Sequence, residues 1–290
     1  MILGTVELGL PYGINNTEGK PNQDQAFQVL QTAWDGGITE LDTASGYGES
    51  EEIIGKFQRI KNLHFLLDTK LPVHLMPEDL FVHFNESCKK LCTDQINILY
   101  LHSFEQCKNA SIIRCLEELK QSQRINYIGV SIYEPEEMDY IINNLPMIDV
   151  IQFPFNVLDN YRWKNNDLLL KAKKSGKVLY SRSVFLQGLV FKDSSDPIVQ
   201  RFGIKKHLAF IKELCKEERM TIEEFSYKYV ASQSEIDNIL IGCQSPKEVV
   251  HNLHIVSTNN SVSNSVKSKL EAFMKDIPTQ SIDPRKWKDL

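Results

Sequence analysis

Four residues carry chemistry that ordinary structural work does not require. Asp42 and Tyr47 stand five apart in "LDTASGYGESEEIIG", residues 41–55, a loop rich in glycine and serine. Lys70 ends the stretch "LLDTK", and His102 falls at the end of "ILYLHS". A carboxylate, a phenol, an amine and an imidazole form a proton-handling set if one surface gathers them. Taken singly, each has a plain structural use. Asp42 could cap a helix, Lys70 could be a solvated lysine, and His102 a satisfied core histidine. An amine at a strand end also admits Schiff-base chemistry with a carbonyl compound, as in an aldolase. What the four share is position, because each lies at or just beyond the C-terminal end of an apolar run.

Those runs define the elements. Short segments rich in Ile, Leu, Val and Tyr occur at 1–6, 38–42, 64–69, 97–102, 126–131, 148–152, 177–181 and 238–241. They read as buried parallel strands. Helical spacing lies between and beyond them, at 24–35, 50–59, 78–91, 111–121, 136–143, 166–174, 205–217, 222–232 and 247–256. In the first helix Ala26, Phe27, Leu30, Ala33 and Trp34 make the apolar face, and Gly36-Gly37 ends it. Eight such βα units in 290 residues match an α/β fold of the (β/α)8 TIM-barrel type, a single domain over 1–290. The tail from about 260 to 290 is expected to pack on the barrel, and either it covers the barrel bottom or that end is open. A doubly wound sheet would usually carry a glycine-rich dinucleotide turn after its first strand, and "GLPYGINNTEGK" has none. In a barrel, chemistry sits at the C-terminal rim, so this topology would bring the four residues together.

Composition excludes several function classes. A net charge of −5 without a basic block argues against nucleic acid or an anionic membrane as partner. No apolar run approaches the roughly 20 residues of a membrane span, and no leader-like pattern opens the chain. The six cysteines form no CxxC pair, which suits a reducing cytoplasm. Cys88 and Cys92 read as packing or surface thiols, and no HxH or HExxH spacing offers a metal site.

The "DTAxxYGxSE" context of Asp42 and Tyr47, followed by Lys70 and His102, resembles the aldo-keto reductase superfamily from Gly4 to about Leu253. The segments "LGTVELGLPYGI", "YSRSVFLQGL" and "IDPRKW" look like a bacterial subgroup associated with surface-polysaccharide gene clusters. The resemblance implies reduction of an aldehyde, ketone or sugar by a nicotinamide cofactor. Tyr47 would then protonate the carbonyl oxygen, and His102 would polarise it by a hydrogen bond. A phenol with a pKa near 10 is a weak acid at neutral pH. Lys70 would lower that value, and Asp42 would hold Lys70 in place.

The same resemblance implies a cofactor site. Gly4 and Thr5, within the 1–6 strand, would also contact the cofactor. Ser131 and Gln152 would meet the nicotinamide carboxamide, Tyr180 would stack on the ring, and Ser181 follows it. Gly188 and Leu189 would meet the pyrophosphate. Gly242, Gln244 and Ser245 precede the last barrel helix, and Asn252 would meet adenine. Ser245, Pro246 and Glu248 read as a capping box, whose free N–H groups attract anions. Family habit favours NADP(H) over NAD(H). Four positions depart from the pattern: Ile132 for asparagine, Arg182 for proline, Gly242 for lysine, and Glu248 where an arginine often faces the 2′-phosphate. Glu40 and Asp68 share strand faces with Asp42 and Lys70 and need partners if buried. The short loop "SFEQCKNA" leaves an open mouth that admits a sugar or sugar nucleotide, with Tyr161, Arg162, Trp163, Arg285 and Trp287 as candidate neighbours. The expected molecule is a monomer or small homo-oligomer. A barrel of this kind that binds cofactor but serves regulation is the further alternative.

Overall fold

Eight short strands pair in chain order, all parallel, and close on themselves in the computed structural model, which describes residues 1–289. They are β1 Ile2–Gly4, β2 Glu40–Asp42, β3 Leu66–Lys70, β4 Ile96–Leu101, β5 Ile125–Ser131, β6 Val150–Pro154, β7 Val178–Arg182 and β8 Asn238–Gly242. The first ten helices are α1 Val6–Gly9, α2 Gln23–Asp35, α3 Ser50–Lys61, α4 Leu80–Leu91, α5 Ala110–Gln121, α6 Pro135–Asn144, α7 Tyr161–Lys164, α8 Leu168–Lys174, α9 Pro197–Arg201 and α10 Lys205–Glu218. The last four are α11 Ile222–Ala231, α12 Pro246–Ser257, α13 Asn264–Phe273 and α14 Thr279–Ile282. The expected (β/α)8 barrel is the fold that forms.

Strand alternation makes two cores. Ile2, Ile98, Tyr100, Val150, Tyr180 and Leu240 point into the barrel and form one buried cluster. Their neighbours point outward. Leu3, Leu41, Leu99, Val130, Ile151 and Leu179 meet helix residues such as Val29, Ile54, Phe84 and Leu116 in a continuous outer shell. Helix starts follow local chemistry. Asn22 and Gln25 form a capping box on α2, and Thr221 and Glu224 form one on α11.

The first strand is shorter than its 1–6 run suggested. Thr5 donates both its N–H and its hydroxyl to the Asp42 carbonyl at 3.0 Å, and the chain then turns into α1. The tail lies along the side of the barrel. Val262, Val266, Leu270 and Met274 bury it against the barrel flank. Beyond them it runs toward the C-terminal rim. Ser281 donates to the Phe202 carbonyl at 2.5 Å, the Trp287 and Phe202 rings lie 5.3 Å apart, and Arg285 pairs with Glu134 at 3.1 Å. Both partners follow the ends of strands, so the tail borders the mouth. Leu66, which opens β3 at the other end, stays 51% exposed.

The two interior carboxyls find partners near that end, although Asp68 Oδ2 has none among the described residues. Asp68 accepts from Asn97 at 2.9 Å and from the Ile98 N–H at 3.2 Å. Glu40 accepts from the Tyr180 hydroxyl at 3.1 Å. Burial, and then the neighbouring Glu40 charge, push the Asp68 carboxyl well above its ordinary range. Among the described residues no helix is long and apolar enough to cross a membrane.

Candidate active site

The centre of the site is an ion pair inside the barrel. Lys70 ends β3 and is 1% exposed. Its ammonium donates to Asp42 Oδ2 at 2.5 Å and to the Thr43 carbonyl at 2.9 Å. The other Asp42 oxygen accepts from Gln152 Nε2 at 2.8 Å, across the barrel from β6. Burial pulls the Lys70 pKa down, while the Asp42 charge and hydrogen bond hold it up.

The Tyr47 loop is clamped from two sides. Ser45 bonds the Lys70 carbonyl through both its N–H, at 3.1 Å, and its hydroxyl, at 2.9 Å. Ser50 begins α3 and donates to the Thr5 carbonyl at 3.0 Å, while Thr43 donates to Ser50 at 3.1 Å. On the other side the loop rests on α1, backbone against backbone. A Cβ at Gly9 would fall 1.8 Å from the Tyr47 carbonyl oxygen. Gly48, at φ +56°, would bring a Cβ 2.4 Å from the Gly9 carbonyl oxygen. Gly46 has open space around it, so the steric need for glycine falls on Gly9 and Gly48.

The Tyr47 and His102 rings meet edge to face with centroids 6.0 Å apart. His102 Nδ1 is buried without a hydrogen-bond partner among the described residues. Burial, then the charges of Lys70 and Arg182, lower the His102 pKa to about 3, so the ring is neutral at ordinary pH. Tyr47 departs from expectation. The Lys70 ammonium lies 5.2 Å from the phenol ring centroid, but its hydrogen bonds go to Asp42 and Thr43. Burial and the Asp42 charge raise the Tyr47 pKa, and the main opposing charge is Arg182. The phenol therefore stays protonated.

A cavity of about 450 Å³ runs from these residues across β8 and β1 to the start of α12. Asp42, Tyr47 and His102 lie on its wall, and Lys70 stands behind them. Gly4, Thr5, Ser131, Gln152, Gly188, Gly242, Gln244 and Asn252 also line it. Four other sequence candidates do not. Tyr180 points into the barrel below the cavity and bonds Glu40, because it sits one inward position deeper on β7 than Arg182. Arg182 takes the rim position instead. Ser181 faces outward and donates to the Phe155 carbonyl at 3.1 Å. Leu189 is buried in the outer core, and Ser245 serves as the N-cap of α12. Cys88 and Cys92 lie on and just after α4, and no cluster among the described residues could hold a metal ion.

The α12 end differs from a standard capping box. Ser245 accepts from the Glu248 N–H at 3.3 Å, but the Glu248 carboxylate accepts from the Gln244 N–H at 2.9 Å, one residue further back than Ser245. The Gln244 N–H, at the start of this helix, is thus already occupied by a carboxylate. A residue not singled out from sequence also lies here. Glu7, on α1, reaches over Gly242, where a Cβ would fall within 2.6 Å of its carboxyl group. Glu7 Oε2 is buried without a partner among the described residues. Burial, with a smaller contribution from Glu248, raises the Glu7 pKa to about 7.

A sequence model of the Aldo/keto reductase family matches residues 1–271. The chain is 25% identical over 260 residues to aldo-keto reductase YhdN of Bacillus subtilis, covering 80% of this chain and 78% of that protein. It is 24% identical over 265 residues to the NADH-specific methylglyoxal reductase of Escherichia coli, covering 77% and 80%. Among solved structures, glycerol dehydrogenase AKR11B4 from Gluconobacter oxydans superposes with a TM-score of 0.76 at 24% identity, covering 98% of this chain and 93% of that one.

Two outcomes follow from the buried charges. Asp42→Ala strands the Lys70 ammonium in the barrel and should cost about 3–5 kcal/mol in urea unfolding. Asp42→Ala/Lys70→Met should recover most of that loss; a double variant no more stable than the single would contradict the pair's role. The Glu7 carboxyl holds its proton in the folded chain up to about pH 7 but loses it near 4.5 when unfolded. Stability therefore falls as pH rises through that window, by at most ~3 kcal/mol. Glu7→Gln should match the parent Tm at pH 5 and exceed it by several degrees at pH 8. A lower Tm for the variant at pH 8 would mean that Glu7 is ionised and paired.

Proposed function

The chain belongs to the aldo/keto reductase family, and from that premise we propose that it reduces the carbonyl group of an aldehyde, ketone or sugar to an alcohol with a nicotinamide dinucleotide. The observation that carries this reading is one cavity reaching from Tyr47 and His102, backed by the Lys70–Asp42 pair, to the N-terminus of α12. The residues fit such a cofactor. Ser131 and Gln152 offer polar groups beside the reacting end, and Asn252 stands at the far end. When bound, the dinucleotide supplies a hydride to the carbonyl carbon.

The chain's own groups then manage the oxygen. The neutral His102 ring donates a hydrogen bond to the carbonyl oxygen and stabilises negative charge as it develops. The protonated Tyr47 hydroxyl delivers the proton. The Lys70–Asp42 pair is nearly neutral as a unit and fixes the Tyr47 loop through the Lys70 carbonyl. The aldolase alternative loses its basis, because Lys70 is off the cavity wall with its ammonium bound to Asp42 and Thr43.

Family habit points to NADP(H), but the charges at the α12 end favour NAD(H). Glu223 and Glu248 line that region of the cavity, and no lysine or arginine is among its described lining residues there, Lys247 on the first turn of α12 lying outside that lining. A 2′-phosphate there would face carboxylates, whereas a ribose diol can donate to them. The relative named as NADH-specific supports this assignment within the family.

With purified protein and an aldehyde panel, Tyr47→Phe should lower turnover by roughly 100-fold or more. Unchanged turnover would overturn the mechanism. Fluorescence titration should show tighter binding of NADH than NADPH, and the reverse order would restore NADP(H).

A further inference from the structure

Glu223 and Glu248 line the cavity with the Glu7 carboxyl, Asp42 lines it beside Tyr47 with its charge spent on the Lys70 ammonium, and the one guanidinium or ammonium among its described lining residues is Arg182. Arg182 is the last residue of β7 and points inward in register with Tyr180. Its guanidinium lies 4.1 Å from the Tyr133 ring centroid. It donates to the Ile132 carbonyl at 3.0 Å and to Ser183 Oγ at 3.4 Å.

Comparison with neighbouring arginines shows what Arg182 lacks. Arg162 pairs with Glu134 and Asp159, and Arg285, which stacks on the same Tyr133 ring at 3.8 Å, pairs with Glu134 and Asp283. Arg182 has no carboxylate partner among the described residues. A guanidinium presents five donors in a planar fork, and here two contacts to neutral oxygens leave most of the fork unspent. A half-buried cation without a counter-ion is costly unless a ligand supplies one.

We infer that Arg182 is a specificity-determining residue that binds an anionic group, a carboxylate or a phosphate, on the carbonyl substrate. The assignment rests on the reductase reading. The unpartnered guanidinium carries it: Asp42 on the same wall is spent on Lys70, so an anion drawn into this end of the cavity meets Arg182 and arrives beside the proton donor. A carbonyl compound anchored by its anion at Arg182 has its reacting carbon held next to Tyr47 and His102, which raises kcat/KM through orientation as well as binding. Charge-assisted, two-pronged contacts of this kind discriminate against a neutral analogue by roughly 10–100-fold.

The test compares matched aldehydes with NADH in the wild-type chain, Arg182→Gln and Arg182→Lys. The carboxylate arm sets 4-carboxybenzaldehyde against its neutral carbamoyl analogue, and the phosphate arm sets glyceraldehyde 3-phosphate against glyceraldehyde. Wild type should prefer the anionic member in at least one arm by about 10-fold or more in kcat/KM, and the favoured arm identifies the anion. Arg182→Gln should bring that ratio close to one, and Arg182→Lys should keep part of it through charge without the fork. No preference in either arm overturns the inference while leaving the reductase reading intact. So does a preference that survives Arg182→Gln. Equal slowing of both members of a pair also overturns it, by assigning the guanidinium to Tyr47 or to cofactor. If no aldehyde is reduced at all, the reductase reading falls, and calorimetric titration with benzoate and with inorganic phosphate decides the subsite alone. Saturable binding of either probe that disappears in Arg182→Gln upholds it; absent or unaffected binding of both sinks it.

Discussion

The buried pair of Lys70 and Asp42 is the interaction on which the rest of the site depends. It ties β3 to β2 at 2.5 Å, and Gln152 extends the tie to β6 on the far side of the barrel at 2.8 Å. Removing two charges from water is expensive, and replacing such a pair by apolar side chains often costs little stability. Its presence is therefore better explained by what it positions. The Lys70 carbonyl holds Ser45, and Ser45 opens the turn that presents Tyr47. Glycine contacts between α1 and that turn close the other side.

The pair also sets the electrostatics. The Lys70 hydrogen bonds go to Asp42 and Thr43, so burial and then the Asp42 charge decide the state of the phenol, and it keeps its proton. His102 is held neutral by burial and by the same cations. Both are thereby hydrogen-bond donors toward an incoming oxygen, with no charge to be desolvated before reaction. Of the other charged groups that face the cavity, Arg182 lies near the reacting groups and Glu248 near α12.

Much of this was legible in the sequence, because periodicity and strand ends are local signals. Alternation of apolar runs with helical spacing specified the barrel, and the rim rule gathered Asp42, Tyr47, Lys70 and His102. Depth was not legible. Tyr180 and Arg182 are equivalent by strand alternation, and only barrel closure shows which of them reaches the cavity. Glu7 was hidden because α1 is four residues long, too short for a helical period to show, so its residues read as strand and loop. The Ser245 capping pattern was correct for the serine and one residue off for Glu248, whose carboxylate takes the Gln244 N–H. The Glu40 and Asp68 partners came from distant strands, which no local pattern encodes.

Direct hydride transfer beside Tyr47 is the central claim, and isotope tracing tests it most directly. An aldehyde reduced by this chain with NADH carrying deuterium at both C4 positions should yield an alcohol with one deuterium on the former carbonyl carbon per turnover, and solvent protons only on oxygen. An alcohol whose new carbon-bound hydrogen comes from solvent would contradict the account, as would cofactor oxidation without deuterated product.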